Sequence, residues 1–162
     1  MLSAALERNV VSEEQNTQIR ERVKAYEGQD EVFCHGDLHL SNIINVKWMQ
    51  KGGLTYNRAC LIDFGYACTA NRFYDLAYLL EQAPLNFTED DKKELVDYFV
   101  GELKTRGISL DYDIYHVYQA QATLANAHLA SIVTKWAQIV SYEKNTQERD
   151  YYLKRLNVLN HA

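Results

Sequence analysis

The sequence is poor in residues that break regular structure and in those that cross-link it. One proline, Pro84, in 162 residues excludes proline-rich linkers and collagen-like architecture. The three cysteines, Cys34, Cys60 and Cys68, form no CxxC pair. That excludes a disulfide scaffold and zinc-ribbon spacing, and it suits a reducing cytoplasm. The seven glycines, Gly28, Gly36, Gly52, Gly53, Gly65, Gly101 and Gly107, are too scattered for a glycine-rich phosphate loop. Apolar runs are short and broken by charge, so no membrane span is expected. Glu7, Arg8, Glu13 and Glu14 interrupt any N-terminal leader. Basic charge is also short, with 17 Lys and Arg against 22 Asp and Glu for a net −5. A nucleic-acid binder acting by phosphate neutralisation is therefore not expected. What remains is globular: 47% apolar residues, with 12 Tyr, 5 Phe and 2 Trp. The length fits one domain with a sizeable core.

The order of elements follows from capping and periodicity. Ser12-Glu13-Glu14-Gln15 has the form of a capping box, which predicts a helix from about Ser12 to Glu27 ending near Gly28. Glu31 to Cys34 reads as a short strand, and His35 to Ser41 as a loop. Asn42 to Trp48 and Ala59 to Ile62 read as a hairpin around a turn region, Met49 to Arg58, that contains Gly52-Gly53. Helices are then predicted from Asp75 to Gln82, from Thr88 past Leu103, over Asp111 to about Tyr142 (one helix or two), and from Gln147 to Leu159. The Ala-rich stretch from Ala120 to Ala130 would let a neighbouring element approach closely.

Three segments stand out chemically. His35-Gly36-Asp37-Leu38-His39-Leu40-Ser41-Asn42 has the form H-x-D-x4-N; Leu61-Ile62-Asp63-Phe64-Gly65 is an apolar strand ending in Asp; Asp75-Leu76-Ala77 opens a helix. An exposed-loop carboxylate such as Asp37 can orient a hydroxyl and accept its proton. Hairpin pairing would bring Asp63 beside Asn42, and a carboxylate plus an amide oxygen suits Mg²⁺. Each residue alone has a plainer reading: Asp37 as a turn former, Asp75 as an N-cap, His116 and His128 as packing or surface residues. His35 and His39, four apart, lack the H-E-x-x-H glutamate and lie in a loop, which argues against zinc.

In this order and spacing the three segments resemble the catalytic core of the aminoglycoside phosphotransferase and choline kinase superfamily of protein-kinase-like enzymes. The stretch from Asp63 to Ala77 looks closest to bacterial choline or thiamine kinases. The resemblance implies an α+β, predominantly helical C-terminal lobe whose small antiparallel hairpin carries the catalytic residues. It implies ATP as co-substrate, Mg²⁺, and a small alcohol or amino-alcohol acceptor such as choline, ethanolamine or thiamine. It makes Asp37 the catalytic base, Asn42 and Asp63 the metal ligands, and His35 and Asp75 the supports of the catalytic loop. His39, Tyr66, Phe73 and Tyr74 become candidates for lining the phosphate or substrate site, since aromatic faces attract organic cations; for each aromatic singly, core packing is the plainer reading.

The sequence departs from that family at its start. Only 34 residues precede His35, they read mainly as one helix, and Lys24 lies in that helix rather than on a strand. The expectation is a single kinase-like lobe over 1–162, with the catalytic loop and metal site in 31–77 and a helical substrate-side region in 78–162. An N-terminal nucleotide lobe is expected to be absent from it, and weak or no catalysis is expected from this lobe alone. A non-catalytic ligand-binding or regulatory module stays open as the alternative, as does an aminoglycoside kinase. An all-helical interaction domain would need three motifs to align by accident.

Overall fold

The structure is a computed structural model in which residues 5, 7–8, 10–49, 55–139 and 143–160 are described. The Gly52-Gly53 turn and Tyr142 lie outside these residues.

Helix α1 (Glu13–Lys24) begins at the expected capping box: the Ser12 hydroxyl accepts from the Gln15 N–H at 3.1 Å, and the Gln15 side chain accepts from the Ser12 N–H at 2.9 Å. After α1 the chain turns through Gly28 at φ +74° into strand β1 (Glu31–Cys34). Strands β2 (Ile43–Met49) and β3 (Thr55–Leu61) form the expected antiparallel hairpin, with Ile43 opposite Leu61 at its base. Strand β3 starts earlier than the sequence suggests. Tyr56, Asn57 and Arg58 read as turn, yet the ladder continues through them opposite Trp48, Lys47 and Val46.

Strand β4 (Cys68–Asn71) has no counterpart in the sequence reading. It pairs antiparallel with β1, Cys34 opposite Cys68 and Glu31 opposite Asn71. The β1–β4 ribbon thus encloses the hairpin in the chain. Two connections, residues 35–42 and 62–67, run between the ribbons and are pinned side by side at both ends.

The helices follow: α2 (Tyr74–Leu80), α3 (Glu89–Thr105), α4 (Ile114–Ile139) and α5 (Glu143–Asn160). Thr88 and Asp91 form a second capping box at the start of α3. The long helix is continuous and starts three residues later than Asp111. The Asp113 carboxylate accepts from the His116 N–H at 3.1 Å, a capping bond that sets the boundary.

The core has two clusters that meet on α2. Tyr74 and Tyr78 belong to one, with Ile19, Ala125, Tyr152 and Leu156; Ala77 and Leu80 belong to the other, with Val96, Val100 and Val117. Small residues on α4 (Ala122, Ala125, Ala127 and Ala130) are fully buried. They fill the core without the bulk that would hold neighbouring helices apart. Because α2 is buried on both flanks, it is a rigid platform for whatever it presents to the strand connections. No helix among the described residues is long and apolar enough to cross a membrane.

Candidate active site

The 35–42 connection is held from below by α2. Asp75 lies in the first turn of that helix, where its carboxylate reaches back rather than capping its own helix. Its Oδ2 accepts from the His35 N–H at 2.6 Å and its Oδ1 from the Gly36 N–H at 3.0 Å. Two consecutive amides on one carboxylate fix both the position and the direction of the loop. Phe73, not Asp75, occupies the N-cap position, so the plain capping reading of Asp75 does not hold.

His35 is buried and fixes the two connections to each other. Its Nδ1 accepts from the Asp37 N–H at 3.3 Å, and its Nε2 lies 2.7 Å from the Ile62 carbonyl oxygen. A backbone N–H needs an acceptor and a carbonyl needs a donor, so these partners make Nδ1 the acceptor and Nε2–H the donor. Both ring nitrogens are then engaged, and neither is left for a metal or for proton transfer. The Phe64 ring lies 4.6 Å away, on the far connection.

Gly36 is required where it stands. Its φ is +83°, and a Cβ there would lie 2.0 Å from the Tyr66 carbonyl oxygen. Only glycine lets the 35–42 and 62–67 connections pass this closely.

Asn42 is buried at the base of the hairpin. Its Nδ2 donates to the Asp37 carbonyl at 3.0 Å, closing the loop on itself. Its own carbonyl accepts from the Ile62 N–H at 3.0 Å, which brings the residue before Asp63 onto Asn42. Asp63 adopts a left-handed conformation, φ 62° and ψ 66°, and its carboxylate has no hydrogen bond or ion pair among the described residues. A non-glycine residue in that region is strained, and such strain concentrates at functional positions. The Asn42 amide oxygen, freed by the orientation of its NH₂ group, and the Asp63 carboxylate are hard oxygen donors. They fit Mg²⁺ rather than zinc.

Asp37 is partly exposed, its side chain 22% accessible. The Tyr78 hydroxyl donates to its Oδ1 at 2.9 Å, and His39 Nε2 lies 3.6 Å from its Oδ2. Gln82 Nε2 donates to the Leu38 carbonyl at 2.9 Å. Asp75, Tyr78 and Gln82, spaced three and four apart, therefore grip residues 35 to 38 from one face of α2 and its continuation. Neither the Tyr78 nor the Gln82 contact was anticipated from the sequence. The helical spacing from Asp75 was the available signal.

The structure brings together Asp37, Asn42, Asp63, His35, Asp75 and His39. Tyr66 is 70% exposed on the far connection. Phe73 and Tyr74 do not line the site. They are 0% and 1% exposed, Phe73 set edge-on to Phe99 and Tyr74 beside Tyr78. Their apolar bulk is consumed by the two core clusters that meet on α2. The nearby thiols are poor nucleophiles: burial, then the charge of Asp75, pushes Cys34 up to about 12 and Cys68 in the same direction.

Behind the site, Glu81 is fully buried and gathers side chains from three helices. Lys92 Nζ lies 2.8 Å from its Oε1, Asn126 Nδ2 donates to its Oε2 at 2.9 Å, and Arg155 Nε to its Oε2 at 3.1 Å. Burial alone would raise this carboxyl, but Lys92 and Arg155 together hold it below the usual carboxylate range.

The comparisons with known proteins bear on this arrangement. A family model described as "Phosphotransferase enzyme family" matches residues 2–117, which contain every polar residue of the site. Six chains of solved structures match the chain. One, an ethanolamine kinase from Plasmodium vivax, superimposes with a TM-score of 0.62 at 22% identity, over 93% of this chain and 40% of that one. The chain thus spans well under half the length of this structural neighbour. No curated protein is similar enough in sequence to count as a match.

Proposed function

Because this chain belongs to the phosphotransferase enzyme family, we propose that it transfers the γ-phosphoryl group of ATP to a hydroxyl of a small metabolite. The observation that carries the reading is the mounting of Asp37. Asp75 fixes the two residues before it through 2.6 and 3.0 Å bonds, yet the Asp37 carboxylate itself remains partly exposed. Phosphoryl transfer asks mainly for positioning and for positive charge against the phosphate oxygens. In this reading Asp37 orients the acceptor hydroxyl and takes its proton as the new O–P bond forms. Asn42 and Asp63 would hold Mg²⁺, which supplies charge neutralisation to the phosphates when bound. His35 and Asp75 hold the loop, and His39 and Tyr66 border it.

The acceptor we propose is a small cationic alcohol or amino alcohol such as choline, ethanolamine or thiamine. Support comes from the resemblance of the Asp63–Ala77 stretch to those kinases and from the similarity in fold to the Plasmodium vivax ethanolamine kinase. We place the work of this lobe beside a nucleotide-binding lobe in a longer protein. Phe33, Ile62, Phe64 and Tyr66 are large, 40–72% exposed and clustered at the two connections, which suits a covered rather than a bare surface.

The test is transfer of labelled phosphate from Mg·ATP to a panel of amino alcohols and aminoglycosides, using the intact product of the gene. Asp37→Asn is expected to lower turnover by about 10²- to 10⁴-fold with the fold intact. Undiminished turnover by that variant would sink the assignment of Asp37. Ligand binding without any transfer would favour the regulatory-module reading.

A further inference from the structure

Asp37 has a partner that no motif announces. Its backbone is fixed on both sides, the N–H by His35 Nδ1 at 3.3 Å and the carbonyl by Asn42 Nδ2 at 3.0 Å. What remains free is rotation of the side chain, which decides where the carboxylate points. The 2.9 Å bond from the Tyr78 hydroxyl to Oδ1 removes that freedom.

We infer that Tyr78 is a positioning residue for Asp37, committing Oδ1 to the protein so that Oδ2 is the oxygen presented to an acceptor hydroxyl. The inference rests on the proposed role of Asp37 as proton acceptor. Tyr78 is suited to it. It is 1% exposed, so water does not compete for its hydroxyl. Its ring is fixed by Tyr74 at 6.1 Å and by the edge-on imidazole of His128 at 5.7 Å. Burial, then the charge of Asp37, raises the pKa of its hydroxyl, so it stays a donor. His39, at 3.6 Å from Oδ2, is too distant for a good hydrogen bond and leaves that oxygen available. Tyr78 touches no reacting atom; it acts through the orientation of its neighbour.

Tyr78→Phe removes the hydroxyl and keeps the buried ring. In the intact gene product, kcat is expected to fall roughly 10- to 100-fold, the scale set by misplacing a reacting group, with the KM values for ATP and acceptor unchanged. A kcat equal to wild type, or a loss confined to KM, overturns the inference. Asp37→Asn separates the two ideas. An active Asp37→Asn variant defeats the proton-acceptor role and this inference with it, whereas an inactive one beside a fully active Tyr78→Phe defeats only the positioning role. A second measurement needs no turnover. In the chain labelled with ¹³C-tyrosine, the Tyr78 hydroxyl proton is expected to exchange slowly in the wild type and in Asp37→Asn, which keeps an acceptor oxygen, and to be lost in Asp37→Ala. Rapid exchange in the wild type would overturn the bond itself.

Discussion

Glu81→Gln is expected to be among the more damaging single substitutions in the chain, although it keeps the size of the side chain. Glu81 is 0% exposed and Lys92 is 2% exposed. One carboxylate accepts from Lys92, Tyr118, Asn126 and Arg155 at distances between 2.8 and 3.3 Å. The amide removes the negative charge and points an N–H group at donors. Among the described residues, Lys92 and Arg155 then keep Glu89 as their one carboxylate partner, 69% exposed, at 3.4 and 2.9 Å. Leaving a buried charge without its partner costs about 3–5 kcal/mol. The residual pairing with Glu89 sets the expectation at the lower end, about 3 kcal/mol. For a domain of this size that is a fall in melting temperature of roughly 6–12 °C. The assay is thermal unfolding at neutral pH followed by circular dichroism. A Glu81→Leu, Lys92→Met, Arg155→Met triple variant is the control: removing all three charges is expected to recover much of the loss. A Glu81→Gln variant that melts within about 2 °C of wild type would refute the view that this carboxylate neutralises the buried cations.

Two further outcomes follow from the same structure. Gly36→Ala combines a positive φ of +83° with a Cβ only 2.0 Å from the Tyr66 carbonyl oxygen, whereas Gly28→Ala has φ +74° and open space around it. Urea unfolding should show the Gly28 variant losing about 1–2 kcal/mol and the Gly36 variant clearly more; equal losses would mean that the loops do not meet as described. Stability should also fall with acid in two stages. Burial, working against the nearby charge of Asp37, holds the His128 imidazole below its ordinary 6.5, so the folded chain takes up that proton later than the unfolded one. Its contribution is full above about pH 6.5 and is lost as pH falls through the depressed value. Glu81, held below 4.5, and Asp30, held below 3.8 by its bond with Arg72, add a second loss at lower pH. His128→Asn should abolish the first stage and keep the second, as read by unfolding midpoints between about pH 2 and 8.

The parts of the fold that were legible in the sequence are those whose cause is local. The Ser12–Gln15 capping box needs four residues, and the hairpin needs two apolar runs joined by a turn. Strand β4 was not legible, because Cys68–Asn71 is four residues long and its partner, beginning at Glu31, lies more than thirty residues upstream. Nothing within Cys68-Thr69-Ala70-Asn71 distinguishes a strand from a connection. The early start of β3 was hidden for a related reason: Tyr56-Asn57-Arg58 is polar and turn-like alone, and becomes strand only through cross-strand pairing.

The site divides along the same line. His35, Asp37 and Asn42 are carried by one eight-residue stretch, so their pattern survives in the sequence. Tyr78, Glu81 and Gln82 fall in the run Tyr78-Leu79-Leu80-Glu81-Gln82, where Glu and Gln read as the solvent face of an ordinary helix. Their partners are 41, 74 and 44 positions away, at Asp37, Arg155 and Leu38. Only the fold brings these together, and it places them on a single short element. One side of α2 and its continuation grips the loop through Asp75, Tyr78 and Gln82, while Glu81 anchors the same segment to α3, α4 and α5. A seven-residue helix is marginal by itself, so its position is set by this anchorage and by the two core clusters. The loop that presents Asp37 is therefore as well placed as the Glu81 network is intact. A buried ion cluster of doubtful value for stability gains a second physical role, holding the helix that aims the carboxylate.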